Sequence, residues 1–358
     1  MAIDRRTLDE IRGMRIDLDG TVGFHEQQLI LAWARSWSEL RGAWLDAIDD
    51  LVAASQDGAW PSRAKIRKAR RAQAALALTT DALDQLARDF QVRILRDVPK
   101  VVGDAAQWEA RLMAAQLPET EVLTATLAGQ FDRIDARALD AIVERTTGRI
   151  TSLTQPLSTQ AETAMRSALV RGVALGQHPE RVTTDLLQRL EGGFNGGRNR
   201  ALVIARTELL DAHRAAAYGQ DQANAKTLRG WQWVATLDRR TCPSCWGMHG
   251  TDHPLEEPGP LDHQQGRCAR IPRIRPWSEL GIDVDEPEDL LPVARDVFDR
   301  LPREDQLAIM GPERLRLLDD EQIDFGDLAK KRSTGGWRDS YAPASTRDLL
   351  RVVNQSGR

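Results

Sequence analysis

Apolar residues at helical spacing recur over most of this sequence and constrain its fold more than any other feature. Between about residues 23 and 55 they fall at steps of three and four: Trp33, Trp37, Leu40, Trp44, Ile48 and Leu51. Similar spacing continues at Leu83, Leu86, Phe90 and Ile94, and again at Leu123, Leu127, Phe131 and Ile134. Such residues share one helix face, which must be buried. The sequence therefore predicts a mainly α protein with helical bundle regions, and the tryptophan stripe favours core packing over a ligand platform.

Proline residues predict several helix boundaries in the first half of the chain. Pro61 precedes a helical segment for which Ser62 is a candidate N-cap. Pro118 and the Gln155-Pro156 pair interrupt the helical spacing, because proline lacks the backbone N–H that a helix interior needs. We expect the helices to break at these points.

Glycine residues predict further boundaries between residues 158 and 219. A helix that starts near Ser158 is expected to end at Gly176, which is placed as a C-cap glycine. The glycine-rich run at 192–200 predicts a flexible turn, and it lacks the Gly-Lys-Ser/Thr sequence of a phosphate loop. This turn would separate a helix that begins near Pro179 from a helix that ends near Gly219.

The pattern changes at Trp231, where aromatic and β-branched residues alternate to position 236 and predict a short strand. All three cysteines of the chain follow, between residues 242 and 268. Thiols confined to one short window favour a metal site in a reducing compartment over a secreted, disulfide-bonded domain. We therefore expect a small β-hairpin module with a zinc-knuckle character inside the helical protein.

The candidate metal ligands are Cys242, Cys245, His263 and Cys268. Three thiolates and one imidazole form a set that zinc prefers in closed, structural sites, which leave no position for a catalytic water. The identity of the fourth ligand is open. His249, His253 and Asp262 lie in the same segment and are alternatives for that position. A redox-active Cys-x-x-Cys pair and three unrelated buried cysteines also remain alternatives.

A basic run follows Pro61 and consists of Arg63, Lys65, Arg67, Lys68, Arg70 and Arg71. These cations surround most of the helix, which is typical of a solvated surface. They could also contact DNA or an acidic partner surface, because neutralised phosphates release counterions. The net charge of −4 argues against a general polyanion binder. The sequence also lacks an apolar run long enough to cross a bilayer and an N-terminal secretory signal.

The order of motifs from residue 204 to residue 268 resembles the phage Mu F-like head-morphogenesis family of minor capsid proteins. The resemblance rests on Ile204-Ala205-Arg206-Thr207-Glu208, on Trp233, on the segment from Asp238 to Cys245, and on Gly250, His263, Arg267 and Cys268. It extends over roughly residues 150 to 330. The chain departs from the family at Gly266, where the closing motif of the family has a cysteine.

The resemblance implies a non-enzymatic protein of the virion, inside the phage head, that is made in the host cytoplasm. It implies association with the portal protein, a part in head assembly and DNA packaging or delivery, and contacts with the major capsid or scaffolding protein and with packaged DNA. No catalytic or cofactor-binding residue is assigned besides the zinc ligands. Arg206, Thr207, Glu208 and Asp238 are expected to be structural, with Arg206 or Glu208 paired to Asp238 or to the backbone of the knuckle.

Three other functions compete with a head protein. Asp262-His263 beside a cysteine knuckle is similar to the start of an HNH-type nuclease finger, but no histidine follows His263 and the only later asparagine is Asn354. A DNA-binding zinc protein is a further alternative. A fused ADP-ribosyltransferase would need a nucleotide loop that the last 80 or so residues do not show.

The sequence thus predicts four regions. Residues 1–150 form an unassigned helical region and residues 151–225 the central helices. Residues 226–275 hold the strand and the knuckle. Residues 276–358 form helical segments with a polar tail that is expected to be an extended arm or to dock on a neighbour.

Overall fold

The computed structural model describes residues 2–54, 62–118, 131–154, 157–174, 179–333 and 339–356. It is mainly helical with a few short strands, which confirms the predicted fold class at that level. The predicted helical spacing at Leu123 and Leu127, the break at Gln155-Pro156 and the cap at Gly176 lie outside the described residues.

Long helices come first along the chain, with one short helix, the second, among them. They are α1 (Arg5–Ala53), α2 (Arg63–Arg67), α3 (Arg70–Ala115), α4 (Ala136–Thr154), α5 (Leu157–Ala174) and α6 (Pro179–Ala223). Ser62 caps α2 as predicted, because its hydroxyl accepts a hydrogen bond from the Lys65 N–H at 3.3 Å. The break predicted at Pro118 is also confirmed, since α3 ends at Ala115.

Short elements follow. The helices are α7 (Pro243–Met248), α8 (Ala294–Asp299), α9 (Arg303–Met310), α10 (Pro312–Asp319) and α11 (Thr346–Ser356), with 3-10 turns at Trp277–Leu280 and Phe325–Leu328. The strands are β1 (Leu228–Val234), β2 (Asp252–His253), β3 (Ala269–Ile274), β4 (Ala329–Arg332) and β5 (Ser340–Pro343). The predicted strand near Trp231 is thereby confirmed.

The chain forms two compact units. One consists of Met1–Leu18, Pro99–Val143 and Leu210–Arg358, and it contains the sheets and the cysteines. The other consists of Asp19–Val98 and Glu144–Leu209 and is helical.

The core of the helical unit is aromatic. The Trp33 ring lies 5.6 Å and the Trp37 ring 5.4 Å from the Phe194 ring, between ring centroids. Trp44 donates from its indole N–H to the hydroxyl of Thr79 at 3.0 Å. All three tryptophans are buried, so the stripe predicted on α1 packs into the core of this unit.

The predicted flexible turn at 192–200 is wrong, because these residues lie inside the continuous helix α6. Packing outweighs the weak helix propensity of glycine here. A Cβ atom on Gly193 would lie 2.9 Å from the Met165 side chain, and one on Gly197 would lie 3.0 Å from the Trp33 ring. The two glycines therefore allow neighbouring helices to approach, and Phe194 between them is completely buried.

The unit with the cysteines is built on a three-stranded antiparallel sheet of order β2-β1-β3. Trp231 lies opposite His253 in β2 and Pro272 in β3, and Trp233 lies opposite Arg270. Gly230 is needed where β1 meets β2, because a Cβ atom there would lie 2.4 Å from the His253 carbonyl oxygen.

The expectation of an extended C-terminal arm is wrong for the residues that the structure describes. β4 pairs with β5 in an antiparallel hairpin, and α11 follows. Leu328, Ala344 and Leu349 are buried in a cluster that contains Trp246 of α7. The predicted arm therefore packs against the helix that follows Cys242.

Candidate metal centre

The polypeptide enters the cysteine cluster through a tight turn after β1. The Asp238 carboxylate accepts hydrogen bonds from the Thr241 hydroxyl and the Arg240 N–H, both at 3.0 Å. Arg267 donates to the same carboxylate at 2.8 Å. Although burial alone would raise it, the pKa of Asp238 is lowered to about 2 by these hydrogen bonds, above all those from Arg267. The turn and the segment before Cys268 are thereby joined.

Three of the predicted ligands come together at the start of α7. The Cys242 sulfur lies 3.4 Å from the Cys245 sulfur and 3.2 Å from Nε2 of His263, and the Cys245 sulfur lies 3.6 Å from that nitrogen. Pro243 at the first position of α7 starts the helical turn that brings the two thiols to one side. With zinc–ligand bonds of about 2.0–2.3 Å, a tetrahedral site has edges of roughly 3.3–3.8 Å. The three side chains fit a metal ion of this kind.

The ring of His263 is oriented for this role. Its Nδ1 lies 2.7 Å from the Gln264 carbonyl oxygen, so Nδ1 carries the hydrogen and Nε2 is left to face the sulfurs. In the metal-free protein the hydrogen bond to Cys242 raises the pKa of His263 to about 9. Hydrogen bonds from Cys245 and then His263 lower the pKa of Cys242 to about 4. Cys242 and His263 thus each favour the charged form of the other.

Asp262 and Arg214 form a buried pair directly behind the cluster. Their side chains are 1% and 8% exposed, and an Arg214 guanidinium nitrogen lies 3.2 Å from Oδ2 of Asp262. Arg214 also donates to the carbonyl oxygens of Gly266 at 2.6 Å and Cys268 at 3.0 Å. Arg214 of α6 thus binds the loop at Gly266 and at Cys268, the residues before and after Arg267.

Cys268 is brought to a neighbouring position. Its sulfur, the Cys245 sulfur and an Asp262 carboxylate oxygen lie within 4.8 Å of one another, as do the ligand atoms of Cys242, Cys245 and His263. The two sets share Cys245, and either could hold a metal ion. Cys268 as the fourth ligand stays a prediction.

The two other histidines of the segment serve the fold. His249 accepts from the Ala235 N–H through Nδ1 at 3.0 Å, and its Nε2 lies 3.0 Å from the Pro292 carbonyl oxygen. The His253 ring stacks on Trp231 with centroids 4.2 Å apart. Both rings are already engaged by other groups, which leaves Cys268 and Asp262 as the candidates for the fourth ligand.

The module has a larger core than its sequence suggests. Trp231, Trp233, Cys245, Met248 and Cys268 form a buried cluster. The loop before His263 is fixed as well: Leu255 is buried, and the Glu257 carbonyl oxygen accepts from the Trp231 indole at 3.0 Å. A bound metal would therefore reinforce a packed structure and would not be the sole force that folds it.

The expected pairing of Arg206 or Glu208 with Asp238 or the knuckle backbone stays a prediction, and both residues have partners within the helical unit. Arg206 donates to Glu26 at 2.8 Å, and Glu208 accepts from Arg149 at 2.8 and 3.1 Å. Glu208 and its neighbour Thr207 are buried. Arg206 and Glu208 thus join helices of the helical unit, and Arg267 is one of the partners of Asp238.

The basic run is exposed where its side chains are described, at Lys65, Lys68, Arg70 and Arg71. Arg71 lies 3.1 Å from the Asp50 carboxylate, which leaves it partly neutralised. The side chains of Arg63 and Arg67 lie outside the description. Exposed cations at these positions are compatible with a solvated surface and also with a contact to DNA.

Arg214 was missed by the sequence interpretation, although a signal for it exists. It occupies the same helix face as Leu210 and Ala217, at steps of four and three, and both neighbours are buried. A cation on an apolar helix face requires a buried anionic or carbonyl partner. That requirement predicts a buried partner for Arg214 without identifying it, and the structure supplies Asp262.

Comparison with known families gives a match over part of the chain. Residues 163–271 match the family described as Phage Mu protein F like protein. The matched stretch begins in α5, includes α6, β1 and α7, and ends in β3, so it contains the whole cysteine–histidine cluster. Searches of curated proteins and of solved structures gave no significant match. Among the described residues, no helix is long and apolar enough to cross a membrane.

Proposed function

We propose, for a chain whose residues 163–271 match the family described as Phage Mu protein F like protein, that it is a minor component of a phage head and takes part in head morphogenesis. The observation that carries the proposal is the family match over the helix, strand and cysteine cluster described above. The chain would act inside the head, next to the portal protein, and would assist packaging or delivery of DNA.

The geometry of the cluster supports a structural role for this module. Cys245, Asp262 and Cys268 are buried, and the loop that carries them is fixed by Arg214 and Arg267. Cys242, Cys245 and His263 would hold one zinc ion with a fourth protein ligand. A closed site of this kind cross-links the loop to α7 and has no free position for a reacting water. We therefore propose that zinc stabilises the module and that the chain is not an enzyme.

The test is the location of the chain in phage particles. Heads purified from a host that produces the phage should contain the chain at low copy relative to the major capsid protein. Protease added to intact heads should leave it uncut, because it lies inside. Cross-linking in opened heads should join it to the portal protein. A chain found in extracts of infected cells but absent from purified heads would contradict the proposal.

The HNH-like nuclease remains the alternative that this experiment does not address. Pure protein with a divalent cation should leave linear and supercoiled DNA intact. Cleavage that is lost in His263→Gln but retained in His253→Gln would favour the nuclease, since only the first histidine faces the cysteines.

A further inference from the structure

We infer that the Cys242–Cys245 pair is a site of oxidative modification, at which a small hydroperoxide joins the two sulfurs in a disulfide. The inference goes beyond the proposed zinc site and rests on it in one respect: both sulfurs are zinc ligands there, so the disulfide would release the ion. Oxidation would thus undo the cross-link between α7 and the loop that carries His263.

Cys242 is the cysteine that a reagent in solution reaches first. Its side chain is half-buried, whereas Cys245 is 4% and Cys268 5% exposed. Cys242 also lines a cavity of about 40 Å³, together with Arg240, Gln265 and other residues of the two loops. Since one water-sized molecule needs roughly 10–15 Å³, this cavity has room for hydrogen peroxide.

The sulfur of Cys242 has polar neighbours at the place where peroxide would react. The Ser244 hydroxyl lies 3.1 Å from it, and Nε2 of His263 lies 3.2 Å from it. The thiolate is the form of cysteine that attacks peroxide, and hydrogen-bond donors beside the sulfur stabilise that form. Accessible and surrounded by such groups, Cys242 is the sulfur on which oxidation begins.

Cys245 is placed to complete the disulfide. Its sulfur lies 3.4 Å from that of Cys242, and only two residues separate the pair at the start of α7. A disulfide bond is about 2.05 Å long, so side-chain rotation has to close roughly 1.4 Å. The Cys268 sulfur lies within 4.8 Å of Cys245, but neither of these buried thiols is the one that is oxidised first. The disulfide therefore joins Cys242 to Cys245.

The reaction balances with hydrogen peroxide as the oxidant. The Cys242 sulfur attacks one peroxide oxygen, the O–O bond breaks, and a sulfenic acid forms while hydroxide leaves and takes a proton from solvent. The Cys245 sulfur then attacks the Cys242 sulfur and the S–O bond breaks. The second hydroxide takes the Cys245 thiol proton or, if that sulfur was bound to zinc, a proton from solvent. Two electrons pass from the sulfurs to the peroxide, which ends as two waters.

The fold around the pair should survive this change. Arg267 donates to the Asp238 carboxylate at 2.8 Å, and the Trp231 indole donates to the Glu257 carbonyl oxygen at 3.0 Å. Neither contact uses a sulfur atom. Oxidation should therefore release zinc from a module that stays folded, and a dithiol reductant with added zinc should restore the metal site.

The test treats the zinc-loaded, full-length protein with hydrogen peroxide in buffer without reductant. A chromogenic chelator measures the released zinc. Mass spectrometry of tryptic peptides locates the disulfide after the free thiols have been alkylated. Trypsin separates residues 241–267, which hold both sulfurs of the pair, from residues 268–270, which hold Cys268. The two possible disulfides of Cys245 therefore give different products.

We expect a disulfide within peptide 241–267, an alkylated Cys268, and zinc release that keeps pace with the disulfide. A disulfide that joins the two peptides would overturn the inference and leave the zinc site intact. So would thiols that stay reduced under peroxide while zinc remains bound. Protein that holds no zinc from the start, yet forms the disulfide within peptide 241–267, would overturn the proposed zinc site alone.

Two serine variants test the order of the steps. Cys245→Ser removes the second sulfur, so a dimedone adduct of the sulfenic acid should accumulate on Cys242. Cys242→Ser, with its fold checked by circular dichroism, leaves only buried thiols, and their oxidation by the same peroxide should be at least about tenfold slower. An equal rate of thiol oxidation in folded Cys242→Ser would overturn the assignment of Cys242 as the first sulfur.

Discussion

Asp221 of α6 and Arg270 of β3 form an ion pair in which neither side chain has any exposed surface. Arg270 donates from Nε to the Asp221 carboxylate, and its other nitrogens donate to the carbonyl oxygens of Glu257 at 2.9 Å and Leu255 at 3.2 Å. Its guanidinium also lies 4.6 Å above the Trp231 ring. This one side chain joins the sheet, the helix and the loop that leads to the metal ligands.

Removal of the arginine should therefore be strongly destabilising. Arg270→Met leaves the buried Asp221 carboxylate without its cation and two carbonyl oxygens without a donor. We expect the free energy of unfolding in urea to fall by about 3–5 kcal/mol. Arg295→Met, which affects an exposed pair with Asp299, is the matched control and should change it little. Equal effects of the two changes would contradict the role given to Arg270.

A second carboxyl group, Glu109 of α3, makes the same region sensitive to pH. Glu109 is completely buried, and neither of its oxygens has a hydrogen-bond partner among the described residues. Burial, followed by the negative charge of Asp221, raises the pKa of Glu109 well above its usual 4.5. Burial also raises the pKa of Asp221 to about 6, against the opposing effect of Arg270. Two acids thus share one guanidinium in the interior.

The sign of the pH effect follows from these shifts. A carboxyl whose pKa is raised by folding binds its proton more tightly in the folded state, so the folded state is stabilised at low pH. The free energy of unfolding should fall as the pH rises from about 4.5 through the raised pKa of Glu109. In Glu109→Gln this fall should be smaller, because the amide cannot ionise. Urea unfolding over this pH range, with the exposed Glu304→Gln as control, measures the difference. Parallel pH curves for wild type and Glu109→Gln would contradict the prediction.

The contrast between predicted and observed features has physical causes. Helical spacing fixed the stripe of Trp33, Trp37 and Trp44, and the spacing of Cys242 and Cys245 identified the candidate metal cluster, because both patterns are local. Partners that are distant in sequence could not be derived. The pairs Arg214–Asp262 and Arg270–Asp221 are set by tertiary packing, and so is the continuity of α6 through its glycines.

The glycines of α6 provide a matched series. Cβ atoms on Gly192 and Gly196 would meet nothing within 4 Å, whereas those on Gly193 and Gly197 would press on Met165 and Trp33. Gly192→Ala and Gly196→Ala should each raise the free energy of unfolding by about 0.5–1 kcal/mol, through higher helix propensity. Gly193→Ala and Gly197→Ala should not raise the free energy of unfolding in this way, because the added methyl groups crowd Met165 and Trp33. Thermal unfolding of the four variants tests the prediction, and a flexible turn at this place would give no difference between the two pairs.

The basic run provides a test of DNA contact. Replacing the exposed Lys65, Lys68 and Arg70 by alanine should lower retention on immobilised DNA, most strongly at low salt, because fewer counterions are released. A control with three exposed cations replaced elsewhere, at Arg300, Lys331 and Arg347, keeps the net charge equal. If both variants bind like the wild type, the run is only a solvated surface.

The zinc content of the full-length protein tests the central claim most directly. The account predicts about one zinc per chain after purification in reducing buffer without added metal. His263→Gln should lose this zinc, while His253→Gln, which changes a stacked histidine of the same segment, should keep it. Wild-type protein with three free thiols, no bound metal, and a stability that does not change when zinc is added would contradict the account.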